Sequence, residues 1–461
     1  PQELFLWGKY GPIAQKKILL YDAGAKPHTK RRIFNMHDNR NERINQISED
    51  TLVIGVDIAK CVHYACAVDE RGREVKKSFS FRQSRQGFET FYATTLKVME
   101  SHQKKNVVVG FEPTGHYWMN LSSYLTDRGI RFVLVNPLHV KQTKELDDNL
   151  QSKNDPKDAR VIAKMIPQGY YSIPRDMTPI EAELRHGSAF RARLKKQGAS
   201  TQNRIKRWID LYFPEFISVY KSIGMNASTV LSSYPLPEDL VREDPEKLLE
   251  NLRNLGGKHF SVKKLTKLLD VAATSIGYQE SPEMARAEIQ ILLTQMKLLE
   301  EQLVSIEKQL VTLAKQMTDF DLFLSVPGIG ENTVVEILSE IGAFSHYKSP
   351  RQILKLAGLT LVTNSSGKKE GNKRLSKRGR KRLRSLIYKA IFPILHAIPA
   401  FRSLYDYYSE DREHPVAKKE ALLILCRKLI QVLHGLSKRG ETFNEERMVA
   451  DISFFGNQEA A

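Results

Sequence analysis

Leu52-Val53-Ile54-Gly55-Val56-Asp57 is a short apolar run that ends on a carboxylate. A β-branched run of this length predicts a strand buried on both faces. Such a strand has no structural use for an Asp. A carboxylate placed there must be paired, hydrogen-bonded or metal-bound to offset its desolvation.

Outward from that run the strand pattern continues. Val62 to Val68 predicts a second strand, Asp69-Glu70-Arg71-Gly72 a turn, and residues 75–81 a third strand. The tight spacing implies an antiparallel meander. Phe88, Phe91, Leu96 and Met99 fall near helical spacing and predict a helix over 85–101. Val107-Val108-Val109-Gly110-Phe111-Glu112 is a second apolar strand that ends in a carboxylate. A helix from His116 to about Asp127 leads to a last strand, Phe132-Val133-Leu134-Val135. The order β-β-β-α-β-α-β is the ribonuclease H arrangement, an α/β fold. Its first and fourth strands are neighbours, which puts Asp57 and Glu112 side by side. Neighbouring carboxylates repel unless a cation sits between them. Hard oxygens with few soft ligands nearby suit Mg²⁺ or Mn²⁺.

Asp155-Pro156-Lys157-Asp158-Ala159 supports two readings. Asp155 as N-cap, Pro156 at the first helical position and Asp158 in the first turn make an ordinary helix entrance. Two acids three apart also share a helix face, and could complete a four-carboxylate cluster with Asp57 and Glu112.

The chain has 461 residues, enough for roughly three domains. Its formal charge of +18 favours a polyanionic partner, most simply nucleic acid, although a merely basic protein has the same balance. Cys61, Cys66 and Cys426 are odd in number and form no C-x-x-C pair, so free buried thiols in a reducing compartment are expected, with no zinc site. No apolar run reaches the roughly 18 residues of a membrane span, and a cytoplasmic, nucleoid-associated protein is expected.

Residues 1–47 read as a mobile leader, with Met36 as a candidate internal start, and 48–170 as the α/β domain. Residues 171–320 read as a helical connector, with a basic segment from Arg191 to Arg207. Within it, Ile289, Leu292, Met296, Leu299, Leu303, Ile306, Leu310, Leu313 and Met317 keep heptad spacing. That seam over 289–317 predicts a coiled coil joining copies into a dimer or tetramer; a hairpin packed on its own chain is the competing reading. Residues 321–440 form a mostly α C-terminal domain. Val326-Pro327-Gly328-Ile329-Gly330 before a helical run looks like a helix-hairpin-helix turn, whose backbone N–H groups could meet phosphate, or a plain turn between helices. Lys368, Lys369, Lys373, Arg374, Lys377, Arg378, Arg380 and Lys381 then make a basic run suited to a phosphate backbone. Helices are expected at about 380–398 and 416–435, and 441–461 is a polar tail.

Together these motifs match a family. Gly55-Val56-Asp57-Ile58-Ala59-Lys60, Glu112-Pro113-Thr114-Gly115-His116-Tyr117-Trp118 and Asp155-Pro156-Lys157-Asp158-Ala159 come first. Val326-Pro327-Gly328-Ile329-Gly330, Ala357-Gly358-Leu359, Ser365-Ser366-Gly367 and Ser376-Lys377-Arg378-Gly379 follow in order. The chain resembles the DEDD transposases of bacterial insertion sequences, the 110 family of those elements, related to the Piv DNA invertase. The resemblance implies a RuvC-like N-terminal domain, a coiled-coil connector and a C-terminal transposase domain. It implies a DNA recombinase guided by a structured noncoding RNA, with Asp57, Glu112, Asp155 and Asp158 as catalytic metal ligands. The family's nucleophilic serine falls on Ser366, with Ser365 as the fallback. Leu361, where the family often has proline, and Asn154, where threonine is common, depart from the pattern. Two other functions fit the same residues: a junction-cutting nuclease that uses water, and a non-catalytic nucleic-acid-binding protein.

Overall fold

The computed structural model describes residues 40–148, 155–175, 177–255, 260–362 and 374–450. The chain divides into two compact units between Asp176 and Met177.

The first unit is built on a six-stranded mixed sheet in the order β3-β2-β1-β4-β5-β6. The strands are β1 (Thr51–Asp57), β2 (Val62–Val68), β3 (Glu74–Arg82), β4 (Asn106–Phe111), β5 (Arg131–Val135) and β6 (Tyr171–Ser172). β1, β2 and β3 form the antiparallel meander, and β1, β4 and β5 run parallel. This strand order is compatible with a RuvC-like fold. The short β6 pairs antiparallel to β5 and has no counterpart in the sequence reading.

From Thr51 to Val56 every residue of β1 is buried, as a strand covered on both faces requires. Leu52, Ile54 and Val56 pack with Phe88 and Phe91 of helix α2 (Arg85–Ser101) and with Leu121 and Leu125 of α3 (Trp118–Asp127). Ser84 caps α2 by accepting from the Gly87 N–H. On the opposite face, Val53 packs with Ala159, Ile162 and Ala163 of α5 (Asp155–Met165). Between β5 and α5 lies α4 (Pro137–Asp148).

Gly55 makes the α5 face possible. A Cβ there would lie 2.2 Å from the Ala163 amide nitrogen and 2.4 Å from the Ala159 carbonyl oxygen. Only a residue without a side chain lets the helix backbone descend this far onto the strand.

Residues 40–47, which composition assigns to the leader, contain helix α1 (Arg40–Asn45) and belong to this unit. Ile47 is buried in the core, Arg40 Nε donates to the Gln168 carbonyl at 3.0 Å, and Tyr171 Oη donates to the Arg43 carbonyl at 2.8 Å. Cys61 is exposed, contrary to the expectation of buried thiols, because it lies in the loop after β1. Cys66 and Cys426 are buried, and burial pushes their thiols up to about 11 and about 12, which leaves them unreactive.

The second unit opens with α6 (Pro179–Tyr212), capped by a reciprocal Thr178–Glu181 box. A second long helix, Pro282–Ala314, packs along α6 and carries most of the heptad seam. Seam residues Ile289 and Leu292 share a core with Ile205, Trp208 and Ile209, and Leu310 shares one with Leu184. Trp208 Nε1 donates to the Ala285 carbonyl at 2.9 Å. Buried Arg191 pairs with Glu307 and Glu336, tying three helices. The seam therefore meets a helix of its own chain.

The Pro327-Gly328-Ile329-Gly330 turn joins helices Asp319–Leu324 and Glu331–Ile341. Gly328 has φ +88, and a Cβ there would come within 2.8 Å of the Pro393 and Ile394 backbone. This glycine is required by packing against the helix Lys381–Ala397, which contains Pro393. No helix among the described residues is long and apolar enough to cross a membrane.

Candidate active site

Val56 pairs with Phe111 across β1 and β4, so Asp57 and Glu112 are the next residues along on neighbouring strands. Side chains alternate along a strand. Val53 and Gly55 face α5, so Asp57 continues on that side; Gly110 lies against Ile166 just past α5, so Glu112 follows it there. α5 presents Asp155 and Asp158 in its first turn. Asp57 and Glu112 are half-buried, Asp155 is exposed and Asp158 is buried. Thr114 Oγ1 donates to Glu112 Oε1 at 2.5 Å and helps to orient it.

Asp57 feels the other three acids. Burial pushes the Asp57 carboxyl up to about 6; Asp158, Asp155 and, least, Glu112 push it the same way, while the Lys144 ammonium pulls it down. Lys144, on α4, is the residue the sequence reading missed. Its Nζ lies 2.5 Å from Asp158 Oδ2. The other oxygen, Asp158 Oδ1, is buried without a hydrogen-bond partner.

Among the described residues no three His, Cys, Asp or Glu side chains stand close enough to form a closed metal cage. The Lys144 ammonium supplies positive charge at Asp158 and pulls the Asp57 carboxyl down. The donor set nevertheless fits a hard divalent cation. All its ligand atoms are oxygens, one of them buried and unsatisfied, and Mg²⁺ commonly takes only one or two carboxylates and fills its shell with water and phosphate oxygens.

Ser365, Ser366, Lys368, Lys369 and Lys373 lie outside the described residues. The strands on either side, β7 (Leu361–Val362) and β8 (Arg374–Leu375), pair antiparallel, with Val362 opposite Arg374. Below this pair the Ser376 N–H donates to the Thr360 carbonyl at 2.8 Å and the Arg380 N–H to the Leu356 carbonyl at 2.7 Å. Arg384 Nη1 donates to the Ala357 carbonyl at 2.9 Å and locks the base. Arg374, Lys377, Arg378 and Lys381 are exposed. Arg380 is engaged with Glu340, so its first duty is structural.

Residues 54–214 match the family described as Transposase, the DEDD proteins of IS110. Residues 320–406 match the Transposase IS116/IS110/IS902 family. The chain belongs to the IS110 family of insertion-sequence transposases. The first match covers all four acids, and the second covers residues 361–375. Relatives include an insertion element IS110 protein of Streptomyces coelicolor, 25% identical over 71% of this chain and 80% of that protein. The transposase for insertion sequence element IS1111A of Coxiella burnetii is 23% identical over 86% of this chain and 92% of its own length. The pilin gene-inverting protein of Moraxella lacunata is 21% identical over 85% and 97%. Membership in this transposase family implies, at a general level, the cutting and rejoining of DNA.

Proposed function

We propose that this transposase exchanges DNA strands through a covalent serine intermediate, with Mg²⁺ or Mn²⁺ held by Asp57, Glu112, Asp155 and Asp158. The observation that carries the proposal is the convergence of strand-end and helix-entrance acids on the α5 side of the sheet, where Asp57 is pushed up to about 6. An acid held at such a cost beside three others suits a cationic partner and a phosphate substrate. When bound, the metal would polarise phosphoryl oxygens and lower the barrier to displacement.

The chain's own part is nucleophilic. Ser366 Oγ bonds to phosphorus as its proton leaves to solvent, and the bond from phosphorus to the 3′ oxygen breaks. The 3′ oxygen takes up a proton, and the 5′-phosphate stays on the serine. Attack by another 3′-hydroxyl then reseals the backbone and frees Ser366, so the phosphodiester bond energy is conserved. Exposed Arg374, Lys377, Arg378 and Lys381 support contact with the DNA or with a structured noncoding guide RNA. Self-association into a dimer or tetramer is part of the same reading, supported by exposed Ile291, Leu298 and Val304 on the Pro282–Ala314 helix.

The test is denaturing electrophoresis of protein incubated with element-end DNA, RNA and Mn²⁺. Wild type and Ser365→Ala should carry a DNA adduct that Ser366→Ala lacks. Cleavage by Ser366→Ala that leaves free 5′-phosphates would instead favour a nuclease using water.

A further inference from the structure

Two loops follow the paired strands: Ile58 to Cys61 after β1, which ends on Asp57, and Glu112 to Tyr117 after β4, a loop that opens on Glu112 itself. A buried histidine and a half-buried glutamine connect them. The Ala59 N–H donates to His63 Nδ1 at 3.1 Å. His63 Nε2 lies 2.5 Å from Gln83 Oε1. Gln83 Nε2 donates to the Tyr117 carbonyl at 3.1 Å, and its backbone N–H donates to the Cys61 carbonyl at 2.9 Å.

The polarity of this chain is fixed at both ends by backbone groups that cannot reverse. The Ala59 N–H is only a donor, so Nδ1 is unprotonated and Nε2 carries the hydrogen. Nε2–H then needs the amide oxygen of Gln83, which turns the amide nitrogen toward the only role left, donor to a carbonyl. Reversing any member breaks two bonds. The His63 ring is fully buried between Phe81, at 5.0 Å, and Phe88, at 6.2 Å. Burial holds its imidazole below the usual histidine range, in keeping with the neutral form.

A core histidine needs only satisfied nitrogens. Here the bonds begin two residues beyond Asp57 and end in the loop that Glu112 opens. We infer that His63 and Gln83 are positioning residues that set the separation of the Asp57 and Glu112 carboxylates. The inference rests on the metal reading above and adds the means by which two independent loops hold one spacing. The side chains touch neither carboxylate; they act through the loop backbones. Outer-shell partners of metal ligands typically carry about 10- to 100-fold in metal affinity.

The test is calorimetric titration of Mn²⁺ into the full chain without nucleic acid, alongside thermal unfolding. His63→Phe and Gln83→Leu should each weaken Mn²⁺ at least about tenfold. The double variant should be no weaker than the worse single one. Phe88→Leu, a loss of packing beside the same ring, should lower the melting temperature and leave Mn²⁺ affinity as in wild type. Gln83 is half-buried at a strand exit, so its variant carries the test if His63→Phe does not fold. Nitrogen NMR of the labelled imidazole should show Nδ1 bare and Nε2 protonated. Wild-type affinity in Gln83→Leu alongside lost binding in Asp57→Asn would overturn the relay alone. Unchanged binding in Asp57→Asn would overturn the metal reading and the relay with it. A protonated Nδ1 would overturn the relay directly.

Discussion

Asp57 binds its proton more tightly in the folded chain than in the unfolded one, because burial and then Asp158 and Asp155 lift it from 3.8 to about 6. The sign follows from linkage. Between about pH 4 and pH 6 the native state holds a proton that the unfolded state has released, so stability falls as pH rises through that window and levels off above it. Solvent screening at this half-buried site keeps the difference below the roughly 3 kcal/mol that the full shift represents. In chelator, Asp57→Asn should unfold at a higher temperature than wild type at pH 7, and the two should converge toward pH 4. Lys144 acts in the opposite direction. Lys144→Met should cost about 2 kcal/mol in chelator, below the figure for a fully buried pair because Lys144 keeps 27% of its side-chain exposure. The same variant should bind Mn²⁺ several-fold more tightly in a titration, since no ammonium competes for Asp158. Asp57 and Glu112 stood out because a carboxylate at the end of a buried run breaks the expected pattern, whereas Asp155 and Asp158 also read as an ordinary helix entrance. Lys144 did not stand out, because a lysine on a helix with polar neighbours looks like any solvated cation until the fold places it beside an acid.

Among the elements, the contact of α5 with β1 controls the site, and Gly55 controls that contact. Gly55→Ala should lower unfolding free energy by about 3 kcal/mol in urea, because the collision is with helix backbone and no rotamer relieves it. It should also weaken Mn²⁺ binding by displacing Asp158. Strands β1 to β5 and helices α2 and α3 were readable from periodicity, since each buries a regular face. β6 has two residues, too few for any period, and α1 and α4 carry too little apolar content to announce themselves. The seam from Ile289 showed that its helix has a covered stripe, but periodicity does not say which helix covers it. In this chain α6 does so, and a Gly187 Cβ would come within 2.7 Å of Leu310 Cδ2.

For the molecule as a whole, a charge of +18 makes binding to nucleic acid a counterion problem. Affinity for the element's DNA or RNA should fall steeply with salt. Replacing Arg374, Lys377, Arg378 and Lys381 together by Ala should reduce the log–log salt slope by about 3 in filter binding. Arg380→Ala should instead destabilise the fold, since Arg380 holds Glu340. Val362 and Arg374 stand opposite each other at the end of the two-strand ladder, next to the Leu361–Leu375 pair. A counterpart of residues 363–373 from another member, grafted between those two positions, would therefore meet the same pair of anchoring strands at its ends.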